Sequence, residues 1–329
     1  MKNKFRISAF ITFLLILIFQ TQVYSKDSQV KVSIAPEVGF FSGKIIENVW
    51  YADVSNTETT TTLTPTTRMS RLDWQVQNSF YWGFDSDFTI NDNITFLLSI
   101  KNAISDTCGV MEDYDWLNPI YWPKDQKDEL TNYSIHTNYL NNYTHINFMF
   151  GKIFYFGAKD NISLTPYFGL DIEHINFSGI GGWKTYKSDK WVKYDFGEGE
   201  KVISYSQSYA APVLLLNSDF NFGRFFETCL NLSAVWIKEL DCIDIHHVKF
   251  GGIIYNDRIE NAWNLGAELK LFFRINSHNK FGFKGGINYI PDAYGFTYNS
   301  KTDTTPVSSS LGGTSRLMWN YSFVYVFTF

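Results

Sequence analysis

Beyond its first 25 residues the chain alternates apolar and polar positions with period two. From His145 to Phe150 the even positions are apolar and the odd ones mostly polar, and Leu230, Leu232, Ala234 and Trp236 form a second stripe. At the end of the chain Trp319, Tyr321, Phe323, Tyr325, Phe327 and Phe329 share one face, with Asn320, Ser322 and Thr328 on the other. Such alternation reads as strands between two different environments. A stripe of aromatics that must face outward suits a strand in contact with lipid. The pattern predicts about ten strands, near 30–50, 68–84, 87–105, 133–153, 162–180, 200–220, 222–242, 250–273, 278–298 and 315–329. Several exceed the ~9–11 residues that cross a bilayer, so they are expected to continue above it as hairpins. Asn91-Asp92-Asn93, Lys159-Asp160-Asn161 and Ser277-His278-Asn279 read as tight turns on one side. The longer polar links 51–67, 106–132, 181–199, 241–249 and 299–314 fall on the other side, and the first holds the threonine-rich run Thr59 to Thr67, read as a loop tip. The fold class expected is all-β, a ten-stranded antiparallel transmembrane β-barrel extending above the membrane.

The first 25 residues follow a different rule. Lys2, Lys4 and Arg6 precede an apolar run from Ile7 to Phe19, and Val23-Tyr24-Ser25 resembles a cleavage site. This reads as a signal peptide, residues 1–25, ahead of a barrel domain of residues 26–329. Its removal takes away three cations and shifts the formal charge from −5 to −8. An acidic chain argues against nucleic acid and suits basic partners. Mean hydropathy is −0.16, too polar for a bundle of membrane helices but compatible with a barrel, where every second residue meets lipid. Porins with water-filled channels use about 16–18 strands; a ten-stranded lumen is narrow enough for side chains to fill, which moves chemistry to the rim.

Two clusters on the expected rim could carry it. Asp113 and Asp115 lie two apart in Met111 to Trp116, so an extended backbone projects both carboxylates from one face. Asp244 and His246 have the same spacing, and a carboxylate beside an imidazole orients it as a general base. Either motif alone also fits a solvated acidic loop. No HExxH zinc motif or GxSxG elbow competes, and His145 and His247 have no evident partner ligands. Neither a metal nor another cofactor is expected. Ser134 and His136 read as groove or strand residues rather than a serine mechanism.

In their order these residues resemble the omptins, a family of outer-membrane aspartyl endoproteases. Gly39 to Glu47 is similar to the family's first strand, Ser70-Arg71-Leu72-Asp73-Trp74 to its S-x-L-D-W, and Met111 to Trp116 to its M-x-D-x-D-W. Thr131 to His136, Gly181-Gly182 and Gln207 to Pro212 follow in matching order. The resemblance implies a water held between an Asp–Asp pair, Asp113 and Asp115, and an Asp–His pair, Asp244 and His246, with no covalent intermediate. It implies substrate binding by Glu47, Asp241 and Met111, a preference for basic P1 residues in peptide or protein substrates, and a bacterial outer-membrane location with the active site facing outside. Two counts compete for the second S1 carboxylate, one reaching Cys242 and one Asp241; Asp241 is the reading adopted, with one extra residue nearby. Asn132 stands where the family has an acidic S1′ residue. The family's lipopolysaccharide motif corresponds to Gly169 to His174, with Ser208 at a further Arg position. Its basic phosphate partners are largely missing, so the expectation is a different outer leaflet or activation without that lipid.

Three cysteines, Cys108, Cys229 and Cys242, leave at least one without a partner in the same chain. The spacing leaves a Cys108–Cys242 rim disulfide open and turns Cys229 into the barrel. Against the protease stands a surface adhesin that kept the barrel and lost turnover; a small channel is disfavoured by strand number.

Overall fold

The computed structural model describes residues 30–56, 61–116, 129–157, 161–187, 190–248, 252–300 and 310–329. The expected signal peptide lies outside the described residues, as does Lys159-Asp160 of one expected turn. Every regular element among them is a strand: β1 (Val30–Asn56), β2 (Thr61–Ile90), β3 (Ile94–Ala103), β4 (Asp106–Asp115), β5 (Asn132–Lys152), β6 (Phe154–Phe156), β7 (Ile162–Lys187), β8 (Trp191–Asp195), β9 (Lys201–Phe222), β10 (Phe226–His246), β11 (Ile253–Arg274), β12 (Asn279–Asn299) and β13 (Ser310–Thr328). β3 and β4 are lower and upper parts of one wall strand, β6 continues β5, and β8 is a short hairpin arm on β7. What remains is a ring of ten antiparallel wall strands, closed where β1 pairs with β13 from Ser33↔Thr328 to Tyr51↔Ser310. Closure leaves no edge, so the ladder itself satisfies the backbone groups in lipid.

The two faces of the alternation sort as period two demands. Phe40, Trp82, Phe148, Phe168, Leu214 and Phe283 are exposed on the outside, where hydrocarbon is the favourable neighbour. The inside is polar and closed by ion pairs. Lys284 meets Glu37 at 2.8 Å and also pairs with Asp85, while Lys101 lies 3.6 Å from Glu37 and 3.7 Å from Glu268. Above them Arg316 pairs with Glu173 and His145 lies 2.9 Å from Asp171. An interior cavity of about 140 Å³ remains among these groups. Higher still the interior turns apolar: Trp74 stacks between Phe177 and Tyr205, with ring centroids 5.9 and 5.7 Å away, over fully buried Ile45, Met111, Ile237, Leu240 and Ile259. This plug is the platform under the rim.

The strands run further than the sequence suggests. β1 and β2 reach 27 and 30 residues, because each hairpin arm keeps its backbone partners above the belt. The second and third strands meet at the expected tight turn Asn91-Asp92-Asn93, where Asn91 and Asp92 adopt φ of 50° and 51°, so the break expected between residues 84 and 87 lies inside β2. The threonine run from Thr61 onward is strand paired to β1, and Met111 to Asp115 and Asp241 to His246 are strand ends rather than loops.

Candidate functional site

Asp113 and Asp115 stand at the top of β4 and turn inward. Their ladder partners are Leu72 and Ser134 for Asp113, Ser70 and Asn132 for Asp115. Ser70 Oγ donates to Asp113 Oδ1 at 3.3 Å, and Asn132 Nδ2 donates to Asp115 Oδ2 at 3.1 Å. Glu112 and Tyr114, on either side of Asp113, point outward, where Tyr114 and Tyr133 hydroxyls donate to Glu112 Oε1 at 3.0 and 2.8 Å. Asn132, which leaves the expected S1′ position uncharged, is therefore a ligand of Asp115. Met111, expected in substrate binding, is fully buried in the apolar platform below; it supports the pair and presents no surface to a peptide.

Asp244 and His246 occupy the matching place on β10, on the opposite wall of the ring. His246 Nε2 lies 2.6 Å from Asp244 Oδ2. Tyr255 is the ladder partner of Asp244 and meets the His246 ring edge-on, centroids 5.7 Å apart. Glu47 on β1 lies within electrostatic reach of acids on both walls. Its carboxyl is held well above the usual carboxylate range by burial first, then by the charges of Asp244, Asp257 and Asp113.

Asp241 does not join this group. In β10 the inward set runs over odd numbers up to Ile237, then Lys238 and Glu239 both face out, and the inward set continues at Leu240, Cys242 and Asp244. The ladder to β9 spans one residue more on β10 than on β9 between Val235 and Asp241, which is a β-bulge. The extra residue exists, but it precedes Asp241 and leaves that side chain on the outer face, beside its ladder partners Arg258 and Ser208. The inward place falls to Cys242, whose partners across the ladders are Asp257 and Gln207.

Other residues gain roles that sequence spacing hides. His136 Nδ1–H donates to Gly181 O at 2.5 Å, and its Nε2 accepts from Ser134 Oγ at 2.9 Å. Burial depresses the His136 pKa and keeps the ring neutral, so both nitrogens are committed to structure. Gln207 Nε2 donates to Thr314 Oγ1 at 2.7 Å, and Thr314 in turn to Ile46 O at 2.8 Å, linking β9 and β13 to the strand of Glu47. The matched lipid motif presents Leu170, Ile172 and His174 outward, with His174 Nδ1 2.7 Å from Ser208 Oγ, while Glu173 turns in to Arg316. The three cysteines are all free and buried; Cys108 on β4 and Cys242 on β10 stand on opposite walls, and Cys229 faces the lumen beside Asn217 and Asn231. Among the described residues no set of three or more His, Cys, Asp and Glu side chains is arranged to hold a metal ion.

Comparison with known proteins finds relatives along most of the chain and a solved structure of the same fold. The plasminogen activator of Yersinia pestis is 21% identical over 289 residues, 84% of this chain and 85% of that protein. Protease 7 of Escherichia coli K12 is 21% identical over 295 residues, 87% and 86% of the two chains. The crystal structure of the outer membrane protease OmpT from Escherichia coli has the same fold, with a TM-score of 0.74 at 18% identity over 91% of this chain and 97% of that one. The omptin family model matches residues 28–327, almost the whole barrel, and this chain belongs to the omptin family.

Proposed function

We propose that this protein is an outer-membrane endopeptidase whose rim faces outside the cell and whose water nucleophile is activated between the two inward pairs. The observation that carries the reading is the pairing itself: two carboxyls on β4 and a carboxyl–imidazole pair on β10 stand on opposite walls of the ring, both within electrostatic reach of Glu47. Asp244 accepts Nε2–H of His246, which fixes the tautomer with its lone pair on Nδ1. That nitrogen takes the proton from water as the oxygen attacks the scissile carbonyl. Asp113 and Asp115 hold the water from the other side, and Ser70 and Asn132 keep their carboxyls aimed. The protein relatives named above act as proteases by their names, and the shared family supports the same class of reaction here. A basic P1 side chain suits Glu47, Asp244 and Asp257, three buried acids for which, among the described residues, no cation contributes to the pKa shifts of Glu47 or Asp257. The orientation follows from the short turn at 91–93 lying with the N-terminal end of β1, and the site lying at the far end.

The test is cleavage of quenched peptides by the protein refolded in detergent. His246→Ala and Asp113→Ala are expected to lose activity by roughly 10²–10⁴-fold, the range for removal of a general base. Added lipopolysaccharide is expected to leave the rate unchanged, because Leu170, Ile172 and His174 replace the motif that would hold its phosphates. Cleavage by both variants at the rate of the unaltered protein would sink the mechanism, a saturable lipid activation would sink the lipid claim, and no cleavage by any form would favour the binding barrel.

A further inference from the structure

We infer that Asp257, on β11, is the second carboxyl of the pocket that receives the substrate's cationic side chain, in the role Asp241 cannot fill. The inference rests on the basic-P1 reading above and names the residue that completes it.

Asp257 faces inward directly across the ladder from Cys242, two residues from Asp244 on the neighbouring strand. It is 3% exposed and Glu47 2%. Glu47 Oε2, Asp257 Oδ1 and Asp244 Oδ1 are buried without a hydrogen-bond partner among the described residues. A carboxyl oxygen removed from water and given no donor is costly, and three of them around one space leave a demand that a single guanidinium or ammonium would satisfy. Five N–H donors in a planar fork let one guanidinium serve carboxyls on two walls at once.

The surrounding chain is shaped for Asp257. Gly312 on β13 lies under its carboxyl: a Cβ there would fall 2.0 Å from Asp257 Cγ. Any side chain at 312 would occupy the space the carboxyl needs. Facing Asp257 are Asp244 and Cys242 from β10, Thr297 from β12 and bare Gly312 from β13, with Glu47 of β1 beyond. None of these is cationic. Burial, with Asp244 adding to it and Thr297 opposing, pushes the Asp257 pKa up to about 7, and a cation placed beside the carboxyl would lower it.

The experiment measures kcat/KM on matched quenched peptides carrying arginine or its neutral isostere citrulline at P1. It is run on the full-length refolded protein and on Asp257→Asn, Gly312→Ala and Asp241→Asn. Binding of the same two peptides to a His246→Ala background gives a second readout that needs no turnover. Asp257→Asn is expected to cut the arginine-to-citrulline ratio roughly 30-fold or more, as for loss of one member of a buried ionic contact. Gly312→Ala should act in the same direction by displacing the carboxyl, and Asp241→Asn should leave the ratio as it is. If the unaltered protein prefers arginine and Asp257→Asn keeps that preference, the assignment of Asp257 is wrong while the basic-P1 reading stands. If the unaltered protein shows no preference in either cleavage or binding, both fall.

Discussion

Burial and the neighbouring charge of Asp244 make Asp257 costly to ionise in the folded barrel. With a pKa of about 7 in the folded protein against an ordinary 3.8, the native state holds a proton over that window which the unfolded chain has released. Stability attributable to this group is therefore intact at pH 3 and is lost as pH rises towards 7 and above. Asp257→Asn is expected to melt higher than the unaltered protein at pH 8, by about 2–4 °C for each kcal/mol relieved, and the gap should close towards pH 3. Thermal melts in detergent at both pH values check this; an equal gap at pH 3 would mean the gain has nothing to do with ionisation. The sequence displays Asp257 as one acid among 33, in a strand with no motif. Its importance comes from register with Cys242 and from the absent side chain of Gly312, neither of which spacing along one strand can report.

At the scale of the element, facing is set by period two until a bulge resets it. Asp113 and Asp115 were legible as a same-face pair because β4 is regular between them, and Asp244 and His246 for the same reason in β10. Asp241 was misread because the extra residue sits at Lys238 and Glu239, and only the ladder to β9 locates it. The rule yields a test. Deleting Ile243 keeps Cys242 inward and turns Asp244 and His246 to the outer face. Peptide cleavage is expected to fall to background while the β-sheet circular dichroism persists. Retained activity would show that these side chains do not need the inward face.

For the whole molecule, ten strands and a charged lumen separate the rim from the other end of the barrel. Lys284 compensates Glu37 and Asp85 at the centre of the interior network, with almost no side-chain exposure. In a planar bilayer the protein is expected to show no porin-like conductance. Lys284→Ala, which takes the nearest cation from Glu37 and Asp85, should destabilise the barrel by about 3–5 kcal/mol, measured by denaturant unfolding in detergent. Steady conductance by the unaltered protein would contradict a closed lumen.

The alternation of Trp319 to Phe329 and its counterparts was enough to determine a barrel of ten strands, since a strand with one aromatic and one polar face has few other homes. Two spacings of i, i+2 likewise determined which acid and which histidine could act together, because backbone geometry within one regular strand is local. The tertiary structure alone decided that the two pairs stand on opposite walls of the ring, that Met111 is platform and Asp241 is outer surface, and that Asp257 lies within electrostatic reach of Glu47. Those facts depend on where the bulge falls and how neighbouring strands are staggered, and stagger is a property of the closed ring rather than of any segment within it.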